Sequence, residues 1–507
     1  MRRPRLPGVG SSPSLLALLA LALHLETNLL GGYGYFRDEL YYIACSERLD
    51  WGYVDHPPLS ILLLRLSRLL LGDSLFGLRL LPALAGAGLV WLTALLTREL
   101  GGGQQAETLA ALGVLIAPIC LGLGDFYSMN AFEPLCWTGC TLLLVRLVRG
   151  EEPRRWLYLG ALAGLGLQNK HSLAFFAGAA LLGLLLTPQR RLLFSPWCWM
   201  GMGLALLLIL PNLLWQHLHD WPTLEFLLNA QAQKNYLLSP LEYLLAQMLY
   251  QHPLALPLWA AGALALLLHP RLREFRCFGI AFIALLAFFV IQRGKPYYLS
   301  PIFPLLLAAG AVAAQWHLRP RWLNTYTLLL ALGGALTLPL ALPLLPPQPF
   351  IRYAAYLGLG EVKTERHGVA ALPQHLADRF GWPELAASVT QVYRSLSPEE
   401  QHQTALYTQN YGEAGALEFY GRPQGLPPVL CGHNNYWLWG QDPSTPQVLI
   451  AVGGHADNYR AAFGSVEQVA LHTHEYAMPY ERDLPLFLCR DPLLPLAKLW
   501  PAAKRYL

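Results

Sequence analysis

The sequence predicts an α-helical polytopic membrane protein of about eleven transmembrane helices with a small C-terminal α/β domain outside the cytoplasm. Three observations lead there. Of 507 residues, 54% are hydrophobic and only 13% charged, where soluble domains carry about 25% charged residues. Apolar stretches of membrane-spanning length recur as far as residue 345. Beyond residue 346 the composition changes, and short strand-like and helix-like runs alternate. The chain therefore divides into a transmembrane domain, 1–345, and an extracytoplasmic α/β domain, 346–507.

The expected spans are 14–31, 75–97, 107–123, 132–148, 156–168, 173–187, 197–214, 253–268, 277–292, 298–315 and 323–345, several of them short enough to be tilted or kinked. With the N-terminus in the cytoplasm, the inner segments collect Arg2, Arg3, Arg5, Arg98, Arg146, Arg149, Arg154, Arg155, Arg190, Arg191, Arg271, Arg273, Arg276, Arg319 and Arg321, the bias that sets orientation in the inner membrane. A cleaved signal peptide is the competing reading of the basic, apolar start. Residues 20–30 offer no small-x-small cleavage site and contain His24 and Glu26. Past residue 346, Thr404–Tyr407 and Gln447–Val452 read as strands, and Pro383 suits the first turn of a helix starting near Trp382.

A net charge of +4 diluted by leucine excludes a nucleic-acid partner. The eight cysteines form no C-x-x-C pair, and no P-loop or dinucleotide motif surrounds the Gly-rich pieces. The orientation instead gathers the unusual polar residues on the outer side. Asp38 and Glu39 open the first outer loop. They either cap a helix beginning near Leu40 or supply a general base and a group that positions the acceptor. Glu133, at a span's edge, calls for a partner or a polar cavity because an isolated charge in the bilayer costs about 3 kcal/mol; Asp125 lies just before it. Lys170, Arg293 and Lys295 either snorkel to headgroups or bind a phosphate. Tyr297, Tyr298 and His56 are interfacial residues or ligand contacts. Glu413 and Glu418 have no setting in the sequence that argues for chemistry.

In order along the chain stand Asp38-Glu39-Leu40-Tyr41-Tyr42, Asp55-His56-Pro57-Pro58-Leu59, Met129-Asn130-Ala131-Phe132-Glu133-Pro134-Leu135-Cys136-Trp137, Gly166-Leu167-Gln168-Asn169-Lys170 and Gly294-Lys295-Pro296-Tyr297-Tyr298-Leu299. This series, over roughly residues 14–345, resembles the bacterial members of the protein O-mannosyltransferase and aminoarabinose transferase superfamily, glycosyltransferases of the C-type fold. The resemblance implies a membrane enzyme that moves a sugar from a polyprenyl-phosphate donor to a lipid, glycan or protein acceptor. Asp38 would be the catalytic base and Glu39 its neighbour at the acceptor. The family's second acidic motif commonly places its Asp earlier relative to the following Trp, so Glu133 and Asp125 both stand for that site, and Asn169 replaces the Thr often found before the lysine. Lys170, Lys295 or Arg293 would meet the donor phosphate in an inverting single displacement. The residue inventory requires no cofactor, with a divalent metal on the outer carboxylates as the alternative. The competing function is a transporter or flippase of lipid-linked glycans, which would be expected to show inverted repeats.

Overall fold

The computed structural model describes residues 10–30, 32–233, 238–359, 362–363, 369–440 and 446–507; Arg2, Arg3 and Arg5 lie outside them. Among the described residues, six helices are long and apolar enough to cross a membrane: Leu75–Glu99, Met129–Val148, Pro196–Leu218, Pro270–Ile291, Pro296–His317 and Pro320–Ala341. Three further pairs become spans only if each is joined across a bend: Gln104–Leu115 with Pro118–Gly124 (64°), Leu173–Leu185 with Pro188–Phe194 (116°) and Pro240–Tyr250 with Pro253–Leu268 (100°). The count is thus six to nine by length and apolarity, where the sequence suggested about eleven. The bends account for part of the difference: each second half opens on a proline, which has no N–H to continue the ladder. Arg155–Asn169, expected to be a span, has 15 residues, fewer than the roughly 17 that cross a bilayer unaided.

Helix Arg155–Asn169 packs closely on Pro196–Leu218 because Gly160 carries no side chain; a Cβ there would collide with the Gly201 backbone. Close approach through small residues is the usual route to helix association in lipid, where apolar burial gives no drive. Helix Leu75–Glu99 gives the bundle its measure. Arg79, near its start, pairs with Glu39, and Glu99, at its end, accepts from Arg146 and Arg149 at 2.9 and 2.6 Å. Twenty residues of helix separate these two ion-pair sites by about 30 Å, the thickness of a bilayer's hydrocarbon core.

The C-terminal part holds a two-residue antiparallel ladder, β1 (Val362–Lys363) with β2 (Val369–Ala370), and a five-stranded sheet. The strands of the sheet are β3 (Thr404–Thr408), β4 (Val429–Cys431), β5 (Val448–Val452), β6 (Phe463–Thr473) and β7 (Asp483–Pro492), in the order β4-β3-β5-β7-β6. β3 runs parallel to β4 and β5, with Leu406 opposite Val429 and Ile450; β7 runs antiparallel to β5 and β6. The two strands read from the sequence are β3 and β5. Pro383 lies in the first turn of helix Trp382–Arg394, entered through Gly381 at φ 90°.

Candidate active site

The bundle and the sheet domain meet over helix Arg37–Glu47. The two carboxylates of its first turn, Asp38 and Glu39, are adjacent in sequence and therefore about 100° apart around the helix. Glu39 turns inward. Its Oε2 caps the helix by accepting the Phe36 N–H at 2.8 Å, and its Oε1 accepts the Tyr127 N–H at 2.7 Å. Arg79 grips both oxygens, Nε to Oε1 at 2.8 Å and Nη2 to Oε2 at 2.7 Å. Both side chains are almost completely buried. Every oxygen is engaged, so Glu39, expected beside the acceptor, is a structural ion pair and cap, and the helix starts at Arg37 rather than near Leu40. Asp38 turns the other way, is about a third exposed, and accepts the Tyr411 hydroxyl at 2.9 Å on Oδ1.

Asp38 lines a cavity of about 710 Å³ between the bundle and the sheet domain. One wall is apolar and comes from the bundle: Pro118, Ile119, Leu123, Phe126, Leu340 and Ala341. Another is polar and comes from the sheet domain, with Gln409, Asn410, Tyr411, Glu413, His433 and Arg505. Arg37, Asn130, Lys295 and Tyr297 also line it. The structure therefore brings Asp38, Lys295 and Tyr297 of the expected site residues to one cavity.

The other expected residues have different surroundings. Lys170 donates to Glu133 Oε2 at 2.6 Å and to Asn130 Oδ1 at 2.7 Å, with Tyr297 and Tyr298 rings 5.6 and 5.3 Å from its ammonium. Ser172 donates to the other Glu133 oxygen. Glu133 thus has the partner its position demands, and the cluster adjoins the cavity through Asn130 and Tyr297. Asp125, the alternative second acid, is fully buried, accepting Thr27 Oγ1 at 2.7 Å and Arg379 Nη2 at 2.7 Å. It ties the bundle to the segment before helix Trp382–Arg394 and does not line the cavity. Arg293 is exposed, at φ 53°. His56, expected as a ligand contact, is buried among Tyr41, Tyr42 and Tyr53, with Nδ1 3.1 Å from the Pro57 carbonyl. Burial pulls its pKa down, so its 3.9 Å approach to Asp55 is no ion pair near neutrality.

Sequence reading missed the contributions of the sheet domain. Tyr411 stacks on Tyr41, ring centroids 4.7 Å apart, and Arg37 lies 5.4 Å over its face. Arg37 also donates to the Tyr480 hydroxyl at 2.7 Å. Glu413, which the sequence left without a setting, is buried with Glu481, and the Asn410 amide bridges them at 2.7 and 2.8 Å. Burial, with the other carboxyl beside it, raises Glu413 well above the carboxylate range, and burial lifts Glu481 to about 7. Among the described residues no group of three or more His, Cys, Asp or Glu is placed to hold a metal ion.

A family model described as dolichyl-phosphate-mannose-protein mannosyltransferase matches residues 55–215. Undecaprenyl phosphate-alpha-4-amino-4-deoxy-L-arabinose arabinosyl transferase 1 of Pseudomonas fluorescens is 27% identical over 285 residues, 52% of this chain and 49% of that protein. The match thus spans about half the length of that curated relative. The crystal structure of ArnT from Cupriavidus metallidurans bound to undecaprenyl phosphate superposes with a TM-score of 0.60 at 17% identity, covering 93% of this chain and 97% of that one. The Archaeoglobus fulgidus oligosaccharyltransferase, tethered with an acceptor peptide, gives 0.50 at 12% identity over 82% of this chain and 63% of its own. At such identities the solved structures speak for the fold. Together the comparisons support the C-type glycosyltransferase superfamily that the motifs resemble.

Proposed function

We propose, from its C-type glycosyltransferase fold, that this chain is a multi-pass inner-membrane enzyme transferring a sugar from a polyprenyl-phosphate donor to an acceptor hydroxyl on the outer side. The observation that carries this reading is the two-sided cavity: an apolar wall fit for a prenyl chain faces a polar wall, and Asp38 shares the space with Lys295. The ligand bound in the ArnT structure, undecaprenyl phosphate, supports the donor class.

In the proposed reaction Asp38 takes the proton from the acceptor hydroxyl as its oxygen attacks the anomeric carbon. The bond from that carbon to the phosphate oxygen breaks, and its electron pair leaves with the polyprenyl phosphate. Attack opposite the leaving group inverts the anomeric centre. Lys295 offsets the charge that grows on the phosphate. Lys170 contributes indirectly, by neutralising Glu133 and orienting Asn130. The test is turnover of a panel of labelled polyprenyl-phosphate sugars by the purified chain with membrane extracts as acceptor; no transfer from any donor would refute the reading.

The two lysines separate in variants. Lys295→Ala is expected to raise the donor KM or lower kcat about 10- to 100-fold while the protein stays folded. Lys170→Ala leaves Glu133 buried and unpaired, and folded yield should fall with activity. Unchanged donor kinetics for Lys295→Ala would take that lysine off the phosphate.

The topology that goes with this proposal has the N-terminus in the cytoplasm and residues 346–507 outside it. A reporter fused after residue 345 is expected to read as external, and one within 149–155 as cytoplasmic. Both on one side would break this topology.

A further inference from the structure

We propose that the carboxyl ends of β3, β4 and β5 form the acceptor subsite, shaped for a hydroxyl-rich carbohydrate headgroup; this rests on the transferase reading above and names its second substrate class. β3 is flanked by two parallel neighbours, β4 on one side and β5 on the other. The chain steps from β3 to β4 in one direction and returns past β3 to reach β5. Right-handed crossovers in opposite directions lay their connections on opposite faces of the sheet. Open α/β sheets bind ligands in the crevice beyond the carboxyl ends of their strands at such a reversal.

The cavity meets the domain at that crevice. Gln409, Asn410 and Tyr411 follow β3, His433 follows β4, and Gly453 and Gly454 follow β5, all lining it. Arg505, which lines it too, is bridged in parallel to His433 and so adds to the wall beside β4. Gly453 and Gly454 both hold left-handed φ, 70° and 75°. Glycine takes this conformation without strain and leaves bare backbone at the crevice. A Cβ on Gly454 would come within 2.7 Å of the Tyr459 hydroxyl.

The wall's chemistry favours a sugar. Gln409 presents an amide and Tyr411 a phenol, groups that match hydroxyls able to donate and to accept; the Asn410 amide is taken up by Glu413, Glu481 and two backbone N–H groups. These groups are held in place: Gln409 Nε2 donates to the Tyr459 hydroxyl at 2.7 Å, and Asn410 Oδ1 accepts the Gly412 and Glu413 N–H groups at 2.8 and 3.1 Å. An extended peptide adds instead along an open sheet edge, whereas this cavity meets strand ends. Tyr411 links wall and chemistry, since its hydroxyl donates to Asp38 and keeps that carboxylate on the subsite's side.

The test measures both substrates' KM values for the full-length protein, with a labelled polyprenyl-phosphate sugar as donor and either an envelope polysaccharide fraction or an envelope protein fraction as acceptor. Gln409→Ala and, as a second variant, the exposed Arg505→Ala are expected to raise the polysaccharide KM about 5- to 10-fold, the loss of one or two hydrogen bonds, with a far smaller change in donor KM. An active wild type whose polysaccharide KM is untouched by both variants overturns the subsite and leaves the transferase reading standing. Transfer to the protein fraction alone overturns the carbohydrate assignment. A wild type inert toward every donor overturns the transferase reading and the subsite with it.

Discussion

Arg79→Ala is expected to remove most of the folded protein, because it strands the Glu39 carboxylate in the core. The Arg79 and Glu39 side chains are 1% and 0% exposed, joined by the two contacts of 2.8 and 2.7 Å. A buried pair as a whole adds little over an apolar replacement, since both ions lose their hydration. Removing one partner is a different matter and costs about 3–5 kcal/mol through the unpaired charge that remains. That is a large part of a typical folding free energy of about 5–15 kcal/mol. Glu39→Gln should lose folded protein as well, because it leaves the buried Arg79 guanidinium with only the neutral Asn28 Oδ1 and Gly34 carbonyl as acceptors and turns an amide NH2 toward the Phe36 or Tyr127 N–H. Folded yield in detergent and the unfolding midpoint would measure both variants. An Arg79→Ala protein with wild-type yield and midpoint would show that Glu39 is not held as described.

The contrast between Asp38 and Glu39 shows where sequence reading stops. Two adjacent carboxylates at a helix start are visible as a motif, but which one faces the cavity depends on how the helix rotates against Arg79, 40 residues away. The same limit applies to Asp125, whose partner Arg379 lies 254 residues on, and to Glu133, paired with Lys170 across neighbouring helices. In each case a lone polar residue in an apolar stretch announces that a partner exists without naming it. The apolar helices were legible because burial in lipid writes itself as composition, and β3 and β5 because their β-branched, apolar runs contrast with what surrounds them. The bends before Pro118, Pro188 and Pro253 divide apolar runs that a hydropathy reading joins or counts whole. Gln409 and Tyr411 stand in a stretch, 407–416, whose role the sequence does not give, and Gly453–Gly454 in a Gly-rich piece without a nucleotide-binding pattern. Only the parallel order β4-β3-β5 brings their loops to one crevice.

In the proposed reaction Asp38 is the base. Asp38→Asn should abolish transfer and leave folding intact, because asparagine preserves the shape and can still accept the Tyr411 hydroxyl on its amide oxygen. The residue is about a third exposed and its contact with Arg37 Nε is a long one, 3.6 Å, so losing its charge puts little strain on the fold. A general base contributes about 10²- to 10⁴-fold in rate. A role confined to the helix start would cost no more than about 1 kcal/mol of stability and leave turnover in place. The most direct measurement is turnover of a labelled polyprenyl-phosphate sugar by wild type and Asp38→Asn at matched amounts of folded protein. Turnover should fall at least about 100-fold with an unchanged unfolding midpoint; turnover within a few-fold of wild type would remove Asp38 from the reaction.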